Sequence, residues 1–129
     1  MNPHGDNMTE MIITPVKIEN RLYELSHEID DAHSALLEAE SHYLSIKAQY
    51  EIALAKSRLN MARRSSPTGR NFTVGEREDL AIIENEELHL RMASTEAVVR
   101  GARANAQRVR TQVDIARSIG TSVRASLEV

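Results

Sequence analysis

Residues 55–78 read AKSRLNMARRSSPTGRNFTVGERE, and they contain the end of one long helical pattern and the start of another. The run from Ser65 to Gly69 cannot continue a helix, because Pro67 lacks an amide donor and glycine favours turns. Long segments with the helical spacing of apolar residues lie on both sides of this run. The stretch therefore predicts an all-α protein, built as a long antiparallel helical hairpin of the coiled-coil type.

The first helix is predicted over residues 15–62. Thr14 provides an N-cap hydroxyl, and Pro15 stands where no amide donor is required. Ala, Tyr and larger aliphatic residues then recur in alternating steps of four and three, at positions 18, 22, 25, 29, 32, 36, 39, 43, 46, 50 and 53. This spacing is typical of the seam of a left-handed coiled coil. Tyr43 and Tyr50 stand on that seam, so we expect both in the core rather than on a base-stacking surface.

The second helix is predicted over residues 74–118. Thr73 and Glu76 have the spacing of a capping box, in which each side chain bonds the other's backbone amide. A second seam follows at positions 88, 92, 95, 99, 102, 106, 109, 113, 116, 120, 123 and 127. The apolar residues at 80, 82 and 83 do not fit this seam, so we expect a stutter near residues 83–88.

The organisation that follows has a flexible N-terminal tail and one helical domain. The tail covers residues 1–13 and the domain residues 14–129, with a basic loop at 63–72. The polar run Ser118–Ser122 is expected to end the second helix, leaving 120–129 as a separate C-terminal segment. Acidic residues between 19 and 40 would lie beside arginines between 97 and 124, which favours the antiparallel direction.

A lone hairpin of this composition has little to bury, because the chain contains only four aromatic residues. A smooth surface of Gly and Ala at 101, 102, 104 and 106 would let another helix approach closely. Four apolar residues add area off the predicted seam: Leu54, Met61, Ile115 and Ile119. We infer a homo-oligomer, and a monomeric hairpin is the alternative.

Composition limits the function classes. The formal net charge is −3 with 27% charged residues, so any attraction to nucleic acid must be local. The chain lacks cysteine, a signal-peptide pattern and an apolar run long enough for a membrane span, and we expect a cytosolic protein with no membrane partner. It also lacks a Gly-rich phosphate loop and a Ser/His/Asp grouping, so we expect a non-enzyme without a cofactor.

Two Glu-x-x-His pairs have the carboxylate–histidine spacing of di-iron helix bundles. They are Glu24 with His27 and Glu86 with His89. In an antiparallel hairpin that turns near residue 68, the two pairs lie far apart, and both histidines fall off the predicted seams. We therefore expect no metal site.

The remaining candidate site is a basic cluster around the turn. Between residues 52 and 75 there are five positive side chains and no acidic one. Helix C-termini favour basic residues, but five exceed what capping requires. Clustered positive charge at a hairpin tip suits a phosphate backbone. The candidate nucleic-acid-binding residues are Lys56, Arg58, Arg63, Arg64 and Arg70.

The run Ala53–Leu59, ALAKSRL, followed by a glycine-containing polar loop and a charged helix start, resembles the UvsY-like phage recombination mediators. That family carries a Lys-x-Arg-Leu element at the end of its first long helix, matched here by Lys56-Ser57-Arg58-Leu59. The resemblance implies that Lys56 and Arg58 contact single-stranded DNA. It also implies oligomers joined through the C-terminal segment, with a RecA-type recombinase and a single-strand binding protein as partners. Asn60-Met61 replaces the family's aromatic residues, so the expected contact is mainly electrostatic.

Two other functions fit the same residues. A structural or adaptor coiled coil in phage assembly would use its charges only for helix pairing and would bind no nucleic acid. A small inhibitor would instead offer a helical face to one host protein.

Overall fold

The computed structural model describes residues 12–64 and 69–128. It contains three α-helices, which are α1 (Pro15–Ala62), α2 (Val74–Glu84) and α3 (Glu86–Leu127). The predicted helical hairpin is confirmed: α1 packs antiparallel against α3. The chain forms two compact units, one from residues up to 34 together with 104 onwards, and the other from residues 35–103. None of the described helices has an apolar stretch long enough to cross a membrane.

The first unit pairs the N-terminal half of α1 with the C-terminal half of α3. Leu25 and Val109 are its largest fully buried side chains. Ala32 and Ala106 complete the buried cluster, with Ile29, Val113 and Ala116 packed against it. Arg21 donates from Nη2 to the side-chain oxygen of Gln112 at 3.5 Å. The core of this unit is thus one layer of aliphatic side chains between two helices.

The second unit pairs the C-terminal half of α1 with α2 and the start of α3. Tyr50, Leu54 and Ala81 form its buried cluster, and Leu88 and Met92 pack against that cluster. The Tyr50 hydroxyl lies 3.1 Å from Nδ1 of His89. A buried phenol group thereby keeps a polar partner inside an otherwise apolar layer.

The α1 seam is confirmed, because all of its predicted positions are buried or half-buried. The seam also continues further than predicted, through Leu54, Ser57 and Met61, which are all buried. Leu54 and Met61 are therefore not off-seam apolar area for another copy. Beyond Tyr50 a step of four leads to Leu54, which keeps an α-helix of 3.6 residues per turn facing its partner.

The second seam is interrupted at Asn85, inside the region where a stutter is predicted. Ala81 and Asn85 occupy the inward positions there, and Ile82 and Ile83 face outward. Ile82 and Ile83 therefore lie off the seam, as predicted, and the small Ala81 is the residue that faces α1. Asn85 Nδ2 donates to Ser57 Oγ and to the Ala81 carbonyl, both at 2.8 Å. A polar pair on the seam favours one alignment of the helices.

The predicted break at Ser118–Ser122 is wrong, because α3 continues through these residues to Leu127. The C-terminal residues 120–127 are therefore not a separate segment. Gly120 is buried, and a Cβ atom built on it would lie 3.2 Å from Cγ2 of Ile18. Glycine is used here for a close approach between two helices, and packing outweighs its weak helix propensity.

The predicted charge complementarity is realised at one ion pair between the long helices within residues 12–64 and 69–128. Arg103 Nη2 lies 3.4 Å from Glu40 Oε1. The other helix-borne arginines in ion pairs use carboxylates of their own helix, as Arg91 does with Glu87 and Arg100 with Glu96. Exposed pairs of this kind contribute little to stability, so apolar packing holds the helices together.

Leu25→Ala is expected to destabilise the protein by about 3 kcal/mol, because it removes a fully buried side chain and leaves a cavity. Leu127→Ala is the matched control, since Leu127 is 69% exposed in the same unit. It should change the free energy of unfolding by less than about 0.5 kcal/mol. Urea denaturation followed by circular dichroism measures both values, and equal losses would contradict the packing described here.

Gly101→Ala is expected to stabilise the protein by up to about 1 kcal/mol, because Gly101 lies inside α3 and a Cβ there meets nothing within 4 Å. Gly120→Ala gains the same helix propensity but brings its Cβ against Ile18, so its stabilisation should be smaller. Thermal unfolding of the two variants side by side measures the difference. A larger gain for Gly120→Ala would show that the contact with Ile18 is not tight.

Candidate nucleic-acid interface

Lys56 and Arg58 lie in the last two turns of α1, and both side chains are exposed. Ser57 between them is buried on the seam, and Leu59 is exposed on the opposite side. At 100° per residue, Lys56 and Arg58 therefore point to opposite sides of the helix. The four residues of the Lys-Ser-Arg-Leu element face four different directions around α1. The Ser57–Asn85 hydrogen bond holds this rotation of the helix in place.

Arg63 and Arg64 follow directly after the end of α1. Their backbone amides donate to the carbonyls of Asn60 at 3.1 Å and Met61 at 3.2 Å, which tightens the last turn. Both side chains are exposed. Arg64 also places Nη1 4.0 Å from the sulfur of Met61. The end of α1 therefore presents two adjacent guanidinium groups, neither of which is buried in the core.

Arg70 stands apart from the other basic residues because it has an acidic partner. Its Nη2 atom lies 3.1 Å from Oε1 of Glu76, and both side chains are partly exposed. The predicted capping box is thus only half formed. The Thr73 hydroxyl accepts from the Glu76 amide at 3.1 Å, but the Glu76 carboxylate turns to Arg70 instead of the Thr73 amide. Gly69, just before Arg70, has a positive φ of 78°, which suits a turn.

Arg77 is a sixth basic residue of this region, and it lies just outside the interval 52–75 that defines the predicted cluster. It lines one groove with Arg58, Val74 and Glu78, and a second with Arg64 and Phe72. It therefore lies between Arg58 and Arg64. A signal was present in the sequence, since a cation in the first turn of a helix is unfavourable for the dipole and has to be explained otherwise.

The described structure thus divides the predicted cluster. Arg63 is exposed directly after the end of α1, and the other four residues fall into three parts. Arg58 and Arg64 gather around Arg77 next to α2, Lys56 lies on the other flank of α1, and Arg70 is paired with Glu76. Within residues 12–64 and 69–128, no carboxylate oxygen lies within 4.0 Å of the basic nitrogens of four predicted residues. These four are Lys56, Arg58, Arg63 and Arg64. Most of Ser65–Gly69, residues 65–68, lies outside the described residues.

Phe72 is half-buried in the groove that contains Met61, Ala62 and Arg77. It precedes the N-cap Thr73, and it shares the groove with the residue four positions after that cap. This is the position of a hydrophobic staple, here made with the aliphatic part of an arginine. Phe72 thereby contributes to the local structure of the turn.

The histidines of the two Glu-x-x-His pairs have aromatic neighbours. His27 packs edge-on against Tyr23 with ring centroids 4.7 Å apart, and His89 packs against Tyr50. His89 is half-buried rather than remote from the core. In the part of the chain that the structure describes, no three His, Asp or Glu side chains lie close enough to hold a metal ion.

Comparison with known proteins identifies no family. No family model matches the chain, and no curated protein or solved structure matches it significantly. Functional assignment therefore depends on the residues of the second unit and their surroundings.

Proposed function

We propose that this protein binds single-stranded DNA through the basic tip of its second unit and acts as a non-enzymatic recombination mediator of the UvsY-like kind. The basic tip consists of the five predicted residues Lys56, Arg58, Arg63, Arg64 and Arg70. The observation that carries the proposal is the set of four exposed basic side chains without a carboxylate partner in the described residues: Lys56, Arg58, Arg63 and Arg64. Charges placed for helix pairing would be expected to meet carboxylates, as Arg103 meets Glu40. Unpaired charges at the end of a helical arm remain available to phosphates.

The second support is the direction of the side chains in the Lys56–Leu59 element. Ser57 anchors the element to Asn85, so the basic residues on either side of it are held outward. This is the element through which the chain resembles the mediators, and in that family its Lys and Arg contact single-stranded DNA. A RecA-type recombinase and a single-strand binding protein are then the proposed protein partners.

The expected binding mode is electrostatic. Phe72 is the aromatic residue nearest the tip in sequence, and it is half-buried in the turn. Base stacking would therefore contribute less than in aromatic-rich single-strand binders. Arg77 adds positive charge between Arg58 and Arg64, although Glu78 lines the same groove and offsets part of it.

A structural coiled coil without nucleic-acid binding is the second candidate function. The observation that favours it is a row of exposed leucines on α1, Leu37, Leu44 and Leu59. A protein partner would cover such a row. The titration described next separates the two functions, because this candidate predicts no affinity for DNA.

The double variant Lys56→Ala with Arg58→Ala should bind a fluorescent single-stranded oligonucleotide about tenfold more weakly than the wild-type protein. The wild-type protein should show a slope of log affinity against log salt of about −3 for four phosphate contacts, and the double variant about −1.5. Fluorescence anisotropy at several salt concentrations measures both quantities.

The matched control for the double variant is Arg108→Ala with Arg117→Ala. It removes the same charge from exposed positions of the first unit. Its affinity should change by less than about twofold. An equal loss in both double variants would mean that only net charge matters. Absence of binding by the wild-type protein at low salt would overturn the proposed function.

Glu76→Gln is expected to strengthen DNA binding, because it releases Arg70 from its carboxylate partner at 3.1 Å. The salt slope should become steeper by about 0.7, the value of one more phosphate contact. The same anisotropy titration measures it, and Glu87→Gln, which releases the distant Arg91, is the control. If the Glu76→Gln slope equals that of the wild type, Arg70 takes no part in binding.

A further inference from the structure

The outer face of α1 in the second unit carries a row of large apolar side chains. Leu37, Leu44, Ile52 and Leu59 are 68%, 59%, 57% and 67% exposed. They follow one another at intervals of seven, eight and seven residues, which places them within about 80° on a helix of 3.6 residues per turn. Single exposed apolar residues are ordinary on protein surfaces, but a continuous row of four along one line is a feature of helix-pairing surfaces.

Small residues fill the intervals in this row. Ser41, Ala48, Ala55 and Ala62 are all exposed and lie on the same line. The eight positions follow one another in steps of three and four, as the residues of a coiled-coil seam do. Large and small side chains alternate strictly along it. We call these eight residues the outer seam.

The outer seam lies on the opposite side of α1 from the residues that pack inside the second unit. Tyr50 and Ser57, both buried, are about 180° around the helix from the middle of the outer seam. Helix α1 is therefore apolar on two faces, of which the second unit covers only one. A helix with two apolar faces is typical of assemblies with more than one helix partner.

We propose that the outer seam is a docking surface for the outer seam of a second copy of this chain, in antiparallel orientation. A twofold axis just before residue 50 brings each large side chain to within about one residue of the level of a small one in the other copy. The pairs are Leu37 with Ala62, Leu44 with Ala55, Ile52 with Ala48 and Leu59 with Ser41. Alternation of this kind lets two helices interdigitate without voids or clashes. The overlap of 26 residues is about 39 Å long.

Charges beside the outer seam match the same twofold axis. In an antiparallel pair, each flank of one helix faces the same flank of the other. Lys47 then lies beside Glu51 of the second copy, and Glu40, which also pairs with Arg103 of its own chain at 3.4 Å, lies beside Arg58. On the other flank, Glu38 lies level with Arg63. Each of these contacts joins opposite charges, which favours this alignment over shifted ones.

A parallel pair is disfavoured by the same residues. With the helices in register, Leu44 would meet Leu44 and each small residue its own copy, which leaves gaps beside crowded positions. Opposite flanks would then face each other, with each flanking residue beside the one about five positions later in the other helix. This places Arg58 beside Arg63, which repel, but Glu51 beside Lys56, which attract, so the packing and not the charge disfavours the parallel pair.

The first experiment measures the oligomeric state by sedimentation equilibrium of the full chain. The wild-type protein should dimerise, and Leu44→Glu should weaken the self-association constant at least tenfold. Leu90→Glu is the matched control, because Leu90 is equally exposed, at 59%, but lies on α3. It should leave self-association unchanged. Circular dichroism should show the same helicity for all three proteins, since both substitutions are at exposed positions.

The second experiment measures the orientation, and the natural absence of cysteine makes it direct. A mixture of the Ala55→Cys and Leu44→Cys variants should form a disulfide-linked dimer of one copy of each. Ala55→Cys alone should not link, because the two sulfur-bearing positions would be about 16 Å apart along the axis. A parallel pair would give the reverse result.

A wild-type monomer at concentrations of tens of micromolar would overturn the proposal. So would a dimer that Leu44→Glu leaves intact, or efficient disulfide formation by Ala55→Cys alone.

Arg58 and Arg63 belong both to the basic tip and to the flanks of the outer seam. The oligomer measurements are made without DNA, so their outcome is separate from that of the DNA titration.

Discussion

The packing of α1's inner seam against α2 and α3 is the constraint on which the rest of the structure depends. Each unit has a single layer of side chains for its core, such as Leu25 with Val109 in one and Tyr50 with Ala81 in the other. With so little depth, stability depends on every inward position being apolar or hydrogen-bonded. Ser57 and Asn85, a polar pair on the seam of the second unit, meet this condition through their hydrogen bond. It also fixes which side of α1 faces inward near the tip.

Much of this fold is predictable from the sequence, because a four-three repeat of apolar residues has few other interpretations. The sequence did not reveal where a small residue is the contact between two helices. Ile82 and Ile83 are exposed, while Ala81 between them and α1 is fully buried. Gly120 was read as the end of a helix, but it is a contact point between two of them. Sequence periodicity predicts which faces exist, whereas the closeness of two helices is decided by three-dimensional packing.

The candidate site was predictable as a cluster but not as an arrangement. The number of positive charges between residues 52 and 75 indicates where the basic tip lies, but it does not distinguish one basic residue from another. The structure makes them different, since Arg70 has a carboxylate at 3.1 Å and Arg58 and Arg64 meet around Arg77. The path of the connection between α1 and α2 decides which basic residue forms an ion pair with a neighbouring carboxylate. That path is a tertiary property, and spacing alone does not contain it.

The rotation of α1 that the Ser57–Asn85 bond maintains has a consequence for cooperativity at the tip. Lys56 and Arg58 project to opposite sides of a helix about 10 Å across, so no single anion can be chelated by both. Each cation makes its own contact, and the two contributions to the binding free energy should add rather than reinforce each other. The affinity of the basic tip for a ligand would then rise gradually with the number of accessible negative charges on that ligand, without a sharp threshold. Such additive binding suits ionic contacts that form and break one at a time.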